Sequence, residues 1–161
     1  AGVIDSQSVK TTESGGIRGY DAGKKIKGRK RHIVTDTLGL LIGLRVHGAD
    51  VQDRDGAPAV LKSIRHGFPW LRHVFADGGY AGDKLREAIS GAGNWTIEII
   101  KRSDKANGFQ VLPRRWVVER TFGWMTRWRR LVRDYEKRID VSQAMILVAM
   151  GGNLLRRNAH P

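Results

Sequence analysis

The sequence predicts a mixed α/β domain with a five-stranded sheet and flanking helices. Apolar runs rich in β-branched residues alternate with stretches whose apolar residues recur every three or four positions, which indicates strands and helices respectively. The predicted order is strand, strand, strand, helix, strand, helix, strand, helix, helix, so three sequential strands precede the alternating part. At 161 residues, the chain is long enough for one domain, residues 1–161, with its own hydrophobic core.

The first three predicted strands are expected to lie antiparallel in one sheet. Residues 2–9 place apolar side chains around Asp5, and residues 31–37 and 40–47 form a hairpin through a tight turn. Residues 11–28 are rich in Gly, Ser and Thr, so this segment is predicted to be irregular. Its glycine spacing does not match a phosphate-binding loop that opens a helix, which excludes that type of nucleotide site.

Helices and strands then alternate. Residues 53–67 predict a helix from their acidic start and terminal glycine. Residues 70–77 predict a strand that ends on Asp77 before two glycines. Residues 83–90 predict a short amphipathic helix, and residues 95–101 predict the last strand.

Two helices close the chain after a polar connection at residues 101–112. The first, residues 113–131, has a predicted buried stripe at helical spacing: Val117, Thr121, Trp124, Met125, Trp128, Leu131 and Tyr135. Trp124 and Trp128 are therefore predicted to be core residues rather than platforms on which bases stack. The second helix, residues 142–157, has Asp140 or Ser142 as its predicted N-cap and is expected to pack against the core.

The composition indicates a polyanionic partner. Lys and Arg number 29 against 16 Asp and Glu, which gives a formal charge of +13 and an isoelectric point near 10.7. Residues 101–161 carry 14 of the basic and 5 of the acidic side chains, so the C-terminal part is the most basic. The chain has no cysteine, which excludes disulfides and thiolate zinc sites. None of its five histidines is paired at ligand spacing on a helix.

No segment of the sequence predicts insertion into a membrane. The longest apolar run, residues 144–150, is far shorter than the about 20 residues that span a bilayer. No signal peptide opens the chain, so we expect a protein of the cytoplasm. The chain begins with Ala rather than Met, which leaves open that it is a fragment or the downstream part of a longer product.

Three acidic residues stand out by their surroundings. Glu119 is the only acid in the arginine-rich stretch 113–131, Asp5 lies in an apolar strand, and Asp77 ends one. A buried carboxylate is costly unless it is paired or binds a metal, and an all-oxygen site suits Mg²⁺ or Mn²⁺. Ordinary explanations also exist, since Asp5 and Asp77 could form turns and Glu119 could pair with a neighbouring arginine. The three carboxylates can converge only if the first and fourth predicted strands are neighbours.

A dense basic run lies at residues 24–31. Six of its eight residues are basic: Lys24, Lys25, Lys27, Arg29, Lys30 and Arg31. Such a run can be a solvated edge, but beside the overall positive charge it favours contact with phosphates. The arginines of the 113–131 helix are also predicted to face phosphates.

Three motifs resemble the signatures of DDE transposases of bacterial insertion sequences. They are Ile-Asp5-Ser-Gln-Ser, Ala-Asp77-Gly-Gly-Tyr-Ala-Gly and Arg115-Trp-Val-Val-Glu119-Arg-Thr-Phe-Gly-Trp. The branch that they match is the superfamily around insertion sequences four and five. The resemblance covers nearly the whole chain, including the basic run, and implies a ribonuclease H-like fold.

The resemblance implies a catalytic domain whose site binds two Mg²⁺ or Mn²⁺ ions through Asp5, Asp77 and Glu119. Arg115 matches an arginine, four residues before the glutamate, that contacts the DNA backbone near the reacting phosphate. Arg120 is expected to contact phosphate in the same way.

This chain departs from the related branch at two positions of the last motif. The branch has a tyrosine and a lysine where this sequence has Leu112 and Thr126. Arg127 is the nearest basic residue that could take the place of that lysine, and it is therefore included among the predicted DNA contacts.

The implied reaction is hydrolytic nicking at the ends of an insertion sequence, followed by attack of the freed 3′-hydroxyl on target DNA. The partner is then double-stranded DNA in the bacterial cytoplasm and nucleoid, and a homodimer on DNA is expected because two ends are cut together. Members of the family also carry an N-terminal region that recognises the element ends, which this chain is expected to lack. Two alternatives stay open: an inactive or domesticated DNA-binding module, and a nuclease of the same fold without strand transfer.

Overall fold

The computed structural model describes residues 1–13, 15–100 and 114–159. Within them the chain forms one six-stranded mixed sheet and four α-helices. The strands are β1 (Gly2–Lys10), β2 (Gly19–Asp21), β3 (Ile26–Asp36), β4 (Leu41–Gly48), β5 (His73–Ala76) and β6 (Thr96–Ile99). The helices are α1 (Asp53–Ile64), α2 (Asp83–Ser90), α3 (Arg115–Thr126) and α4 (Ile139–Ala159).

The sheet is built outward from β1 and β3. β1 runs antiparallel to β3 along its whole length, and β4 pairs antiparallel with the opposite edge of β3. On its other side β1 pairs in parallel with β5, and β5 in parallel with β6. Both predictions on topology are therefore confirmed: the long strands β1, β3 and β4 are antiparallel, and the first strand lies beside the strand that leads to Asp77.

The segment that was predicted to be irregular, residues 11–28, contains regular structure, and the sheet has six strands rather than five. β2 pairs with the beginning of β3, which itself starts five residues before the predicted boundary. The misleading signal was glycine. A Cβ at Gly28 would lie 1.9 Å from the Val9 carbonyl oxygen, and one at Gly19 would lie 1.7 Å from an Asp50 carboxylate oxygen. Here glycine permits close backbone packing instead of marking a loop.

The helices cover both faces of the sheet. One core contains Ile4 and Val34 together with buried residues of α1 and α2, and the other contains Val3 and Ile33 together with buried residues of α3 and α4. Neighbouring residues of a strand point to opposite faces, so β1 and β3 each contribute to both cores. The two inner strands are consequently buried on both sides.

The helix α3 is shorter than predicted, because it ends at Thr126 and a separate 3-10 turn follows at Arg129–Leu131. Between them Trp128 takes an extended backbone conformation, and its indole NH donates to Asn153 of α4. This tertiary contact outweighs the helical pattern of the sequence. Val117, Thr121, Met125 and Leu131 are buried as predicted, Trp124 and Trp128 are only half-buried, and Tyr135 is exposed.

The helix α4 starts three residues earlier than predicted, so Ser142 lies inside its first turn instead of capping it. The Ser142 hydroxyl is buried and donates to the Asp134 carboxylate. No described helix is both long enough and apolar enough to cross a membrane. The prediction for residues 101–112 lies outside the described residues.

Candidate active site

Parallel strands bring two of the three predicted acids to one end of the sheet. Val3 of β1 lies beside Phe75 of β5 in the parallel ladder. Asp5 follows Val3 by two residues and Asp77 follows Phe75 by two residues. The same register therefore carries both aspartates to neighbouring positions.

Each aspartate binds a local backbone amide with one carboxylate oxygen. Asp5 Oδ1 accepts from the Ser6 NH at 2.7 Å. Asp77 Oδ1 accepts from the Gly79 NH at 2.8 Å and so caps the 3-10 turn at Gly78–Tyr80. The turn-forming role considered for Asp77 is real, and it leaves Oδ2 free for a second contact.

The remaining oxygens meet around one guanidinium nitrogen of α3. Arg115 Nη2 lies 3.9 Å from Asp5 Oδ2 and 3.7 Å from Asp77 Oδ2. It also lies 3.5 Å from Glu119 Oε1, one helical turn further along α3. Three acids from distant parts of the sequence thus share a single cation. We refer to Asp5, Asp77 and Glu119 as the acid cluster.

The members of the acid cluster differ in exposure. The Asp5 side chain is 15% exposed and that of Asp77 is 26% exposed, whereas that of Glu119 is 56% exposed. The pKa of Asp5 is raised to about 6, chiefly by burial and also by the neighbouring Asp77, although the Ser6 amide, Arg115 and Lys24 act in the opposite direction. The positive charges near Asp5 therefore do not fully offset the cost of burying its ionised carboxylate.

The donor atoms of the acid cluster suit a hard divalent cation, but their positions do not yet form a metal cage. Among residues 1–13, 15–100 and 114–159, no three His, Cys, Asp or Glu side chains stand close enough together to hold a metal ion. Carboxylate oxygens bind Mg²⁺ at about 2.1 Å, whereas the Arg115 nitrogen keeps the three oxygens at 3.5–3.9 Å. Occupation by a metal would require the guanidinium to leave and the carboxylates to move inward.

The predicted phosphate-binding run 24–31 divides into two parts. Lys24, Lys25 and Lys27 are exposed. Lys24 lies next to the acid cluster, because its Nζ donates to the Ser6 carbonyl at 3.2 Å. These three lysines remain available to an anionic partner.

The prediction is wrong for the other half of the run, since Arg29, Lys30 and Arg31 are buried. Arg29 forms an ion pair with Asp134 at 3.0 Å, and Arg31 donates to the Leu131 carbonyl at 2.8 Å. Burial lowers the pKa of Arg31 to about 10. Because β3 is covered on both faces, these side chains serve as internal hydrogen-bond donors and cannot reach a phosphate at the surface.

The two remaining predicted contacts lie on or just after α3. The guanidinium of Arg120 stacks on the rings of Trp116 and Trp124, at 4.4 and 4.8 Å from their centroids. Its Nη2 also donates to the Leu38 carbonyl at 2.8 Å. Arg127 is exposed at the C-cap of α3.

One carboxylate next to the acid cluster was missed in the sequence. Asp53 was considered only as part of an acidic helix start, yet its Oδ1 accepts from Ser6 Oγ at 2.7 Å and from Lys30 Nζ at 3.1 Å. Burial acts to raise the pKa of Asp53, but these two hydrogen bonds and the Lys30 charge outweigh it and keep that pKa low. Asp53 thereby supports Ser6, the residue whose amide holds Asp5. A helix-start pattern alone gave no signal for this contact.

Comparison with known proteins assigns the chain to a family. The family model described as a transposase DDE domain matches residues 1–154. Over 126 residues the sequence is 32% identical to a proposed transposase for insertion sequence element IS402 from Burkholderia cepacia, a match that covers 74% of this chain and 59% of that protein. The chain thus spans less than two thirds of the length of this relative. By the family-model match over residues 1–154, the chain belongs to the family of transposase DDE domains.

Proposed function

We propose that this chain is the catalytic domain of an insertion-sequence transposase, which cleaves DNA strands and joins them to target DNA with divalent metal. The observation that carries the proposal is the convergence of Asp5, Asp77 and Glu119 on Arg115 Nη2, at 3.5–3.9 Å. Three acids directed at one point in a protein of charge +13 are what phosphoryl transfer on a polyanion needs. Membership of the family supports the same function.

The acid cluster would hold the metal, which is Mg²⁺ or Mn²⁺. The family pattern implies two such ions. When bound, the metal supplies activation of the attacking hydroxyl and stabilisation of the leaving oxygen. The Ser6 and Gly79 amides each anchor one carboxylate oxygen, of Asp5 and Asp77 respectively, so only the other oxygen of each would have to move inward to a metal. Arg115, once displaced from the carboxylates, is in place to contact a phosphate beside the site.

We also infer that the fold is ribonuclease H-like. The spatial order β4, β3, β1, β5, β6, with β1, β3 and β4 antiparallel and β5 and β6 parallel to β1, supports this assignment. It places one acid on the first strand, one after the neighbouring parallel strand and one on a later helix. That is the arrangement that the sequence resemblance implies.

Six of the nine basic residues predicted to bind DNA remain part of the proposal: Lys24, Lys25, Lys27, Arg115, Arg120 and Arg127. The partner that we propose is double-stranded DNA, at both the element ends and the target, in the bacterial cytoplasm and nucleoid. A homodimer is expected on DNA, because two ends must be cut together. Recognition of specific end sequences is assigned to other parts of the full-length transposase.

The test is strand cleavage and strand transfer on end-containing DNA by three single variants, Asp5→Asn, Asp77→Asn and Glu119→Gln. Each is expected to lose metal-dependent cleavage while thermal unfolding and non-specific DNA binding stay close to wild type. Asp83→Asn is the matched control, because Asp83 is an aspartate whose side chain is 86% exposed at the start of α2. Cleavage retained in any of the three variants removes that residue from the site. Cleavage without strand transfer in the unmodified protein would identify a nuclease instead of a transposase.

A further inference from the structure

A basic groove lies between α3 and α4, away from the acid cluster. It encloses a cavity of about 490 Å³. Its lining residues are Arg120, Trp124, Arg127, Trp128, Asn153, Arg156 and Arg157. We call this feature the α3–α4 groove. Since Arg120 follows Glu119 directly, the groove begins on the next face of the helix that carries the third acid.

The α3–α4 groove concentrates positive charge without compensation. Four of its seven lining residues are arginines and none is acidic. In the part of the chain that the structure describes, no carboxylate lies within 4 Å of any of these four guanidinium groups. Unpaired like charges that are close together repel one another, so this cluster favours the binding of an anion.

Tryptophan rings fix the orientation of three of these arginines. The guanidinium carbons of Arg157 and Arg120 lie 5.0 and 4.8 Å from the centroid of the Trp124 ring. The guanidinium carbon of Arg156 lies 5.4 Å from the centroid of the Trp128 ring. A guanidinium that stacks flat on an indole keeps its N–H groups at the edge of its plane. Those edges are the donors that bind phosphate oxygens in pairs.

Two donors in the groove have no partner of their own. Arg120 Nε and the Asn153 side-chain nitrogen are both buried and make no hydrogen bond in the described structure. Unsatisfied buried donors cost free energy.

Packing and helix-end electrostatics explain only part of the groove. Positive charge near a helix C-terminus is favourable, which accounts for Arg156 and Arg157 at the end of α4. The same argument does not extend to Arg120, which lies in the middle of α3. Arg120 and Arg157 both donate to the Leu38 carbonyl, and the four arginines, which have no carboxylate partner in the described structure, together favour an anionic ligand.

We propose that the α3–α4 groove binds the sugar-phosphate backbone of DNA outside the acid cluster, and this inference rests on the proposed function. Phosphate is favoured over a base, because guanidinium groups already lie over Trp124 and Trp128. The contact is consequently independent of base sequence. Either a duplex or a single strand could present this backbone, and the two are separated by experiment.

The test is the salt dependence of DNA affinity for the double variant Arg156→Gln/Arg157→Gln, measured by fluorescence anisotropy. Each lost phosphate contact should reduce the slope of log affinity against log salt by about 0.9 on duplex and about 0.7 on single-stranded DNA. The slope of the double variant is therefore expected to fall by about 1.8 on duplex and about 1.4 on single-stranded DNA. A reduced salt slope with duplex DNA would show that the groove binds double-stranded DNA. A reduced slope with single-stranded DNA alone would show that it binds an unpaired strand.

The matched control is Arg86→Gln/Arg138→Gln, which removes two exposed arginines that are paired with Asp83 and Asp140. All proteins carry Asp5→Asn in addition, so that binding is measured without cleavage and the result does not depend on catalysis. An unchanged slope in a folded Arg156→Gln/Arg157→Gln protein, or an equal loss in the control, overturns the proposal. The function proposed for the acid cluster would survive that result.

Discussion

Arg115 fills the space in which the acid cluster would hold a metal. Among the residues that the structure describes, Arg115 is the cation whose nitrogen lies within 4 Å of all three carboxylates. A guanidinium and a divalent ion compete for the same oxygens, because both cannot be within contact distance of them at once. In the absence of metal, Arg115 balances the acids and so stabilises the folded site.

Replacement of Arg115 by Gln should therefore tighten metal binding while weakening DNA cleavage. Removal of one positive charge about 4 Å from the oxygens favours a divalent ion, and we expect the Kd for Mn²⁺ to fall about tenfold, or about 1.4 kcal/mol. Mn²⁺ binding to DNA-free protein can be measured by calorimetry or by electron paramagnetic resonance. Arg120→Gln, five residues later on the same helix, is the control and should leave the Mn²⁺ affinity nearly unchanged. Weaker Mn²⁺ binding by Arg115→Gln would show that the arginine supports the metal site instead of competing for it.

Two histidines on neighbouring strands form a hydrogen-bonded pair, in which His32 of β3 is buried and His47 of β4 is half-buried. His32 Nδ1 and His47 Nε2 are 2.7 Å apart, and His47 Nδ1 lies 2.9 Å from the Gly48 carbonyl. The carbonyl accepts a hydrogen bond from His47 Nδ1, so His47 Nε2 must accept from His32 Nδ1, which requires the His47 ring to be neutral. His32 Nε2 is buried without a hydrogen-bond partner, so burial disfavours a proton there. Burial accordingly lowers the pKa of His32 to about 3, and it also lowers that of His47.

The neutral pair predicts acid destabilisation that begins near pH 6.5. A histidine whose folded pKa is depressed binds its proton mainly in the unfolded state, so stability is present above the unfolded pKa and is lost as pH falls. Between pH 7 and pH 5, His32 should lower the free energy of unfolding by about 2 kcal/mol. Asp5 has the opposite effect over this range, because its raised pKa makes the folded state bind the proton more tightly.

The contribution of His32 is measured as the difference between wild type and His32→Gln in urea unfolding at several pH values, without metal. His32→Gln can still donate a hydrogen bond to His47, and its loss of stability between pH 7 and pH 5 should be smaller than that of wild type by about 2 kcal/mol. His66→Gln serves as the control, since His66 is exposed on the surface. Parallel pH profiles for wild type and His32→Gln would mean that His32 is already free to protonate in the folded state.

At the level of single residues, sequence analysis located the acid cluster but could not locate its surroundings. Asp5, Asp77 and Glu119 each stand in a motif of several residues, which is why they could be identified. In the sequence, Arg29 and Arg31 belong to the same basic run as Lys25 and Lys27, and nothing local distinguishes the two pairs. They differ in the fold because β3 is buried on both faces at Arg29 and Arg31. Burial depends on the helices that cover a strand, and this information is spread over the whole chain.

Asp134 joins β1, β3 and α4 through hydrogen bonds. Its carboxylate accepts from Arg29 Nη1 at 3.0 Å and from Ser142 Oγ at 2.6 Å, and both partners are buried. The backbone of Asp134 also pairs with Lys10 and Thr12 at the end of β1. One residue therefore ties two strands to the start of the last helix.

Replacement of Asp134 by Ala should destabilise the domain by about 3 to 5 kcal/mol, because it leaves the Arg29 charge buried without a partner. This is a large part of the total stability of a single domain, which is about 5 to 15 kcal/mol. The midpoint of urea unfolding gives the measurement. Asp83→Ala, which removes an exposed aspartate, should leave that midpoint almost unchanged. A midpoint for Asp134→Ala close to that of the control would show that the Arg29 charge reaches solvent.

At the level of elements, the type of each long helix and strand was predictable and the ends were not. Apolar periodicity identified all four helices and the five longer strands. The end of α3 depends on Trp128, which leaves the helix to pack against Gly152 and Asn153 of α4. β2 has only three residues and depends on pairing with β3, so no pattern of apolar residues in the local sequence predicted it.

The basic residues of the molecule form two groups, those buried inside the fold and those exposed on its surface. Arg29 and Arg31 lie inside the fold. Lys24, Lys25 and Lys27 lie outside it, on the turn between β2 and β3 and at the start of β3. The total of +13 therefore overstates the charge that is available to DNA. We call Lys24, Lys25 and Lys27 the hairpin lysines, because they lie on the hairpin of β2 and β3. Lys24 brings this group close to the acid cluster, because it donates to the Ser6 carbonyl.

Neutralisation of the three exposed lysines should weaken DNA binding without loss of stability. In the triple variant Lys24→Gln/Lys25→Gln/Lys27→Gln, each lost phosphate contact lowers the salt slope by about 0.9, so a reduction of about 2 to 3 is expected on duplex DNA. The urea midpoint should stay near that of wild type, because none of the three side chains is buried. Arg29→Gln/Arg31→Gln is expected to show the reverse, with a large loss of stability that precedes any effect on binding.

A second triple variant, Lys62→Gln/Lys84→Gln/Arg86→Gln, controls for the change of net charge. These exposed residues lie on α1 and α2, which pack on the sheet face opposite to α3. Because long-range charge effects are screened beyond about 10 Å at 0.1 M salt, a variant that removes three distant charges should keep a slope close to that of wild type. Equal slopes for the two triple variants would make the hairpin lysines a solvated edge and would move the DNA path elsewhere on the protein. A loss confined to the hairpin variant would place the DNA backbone beside Asp5, where the proposed chemistry requires it.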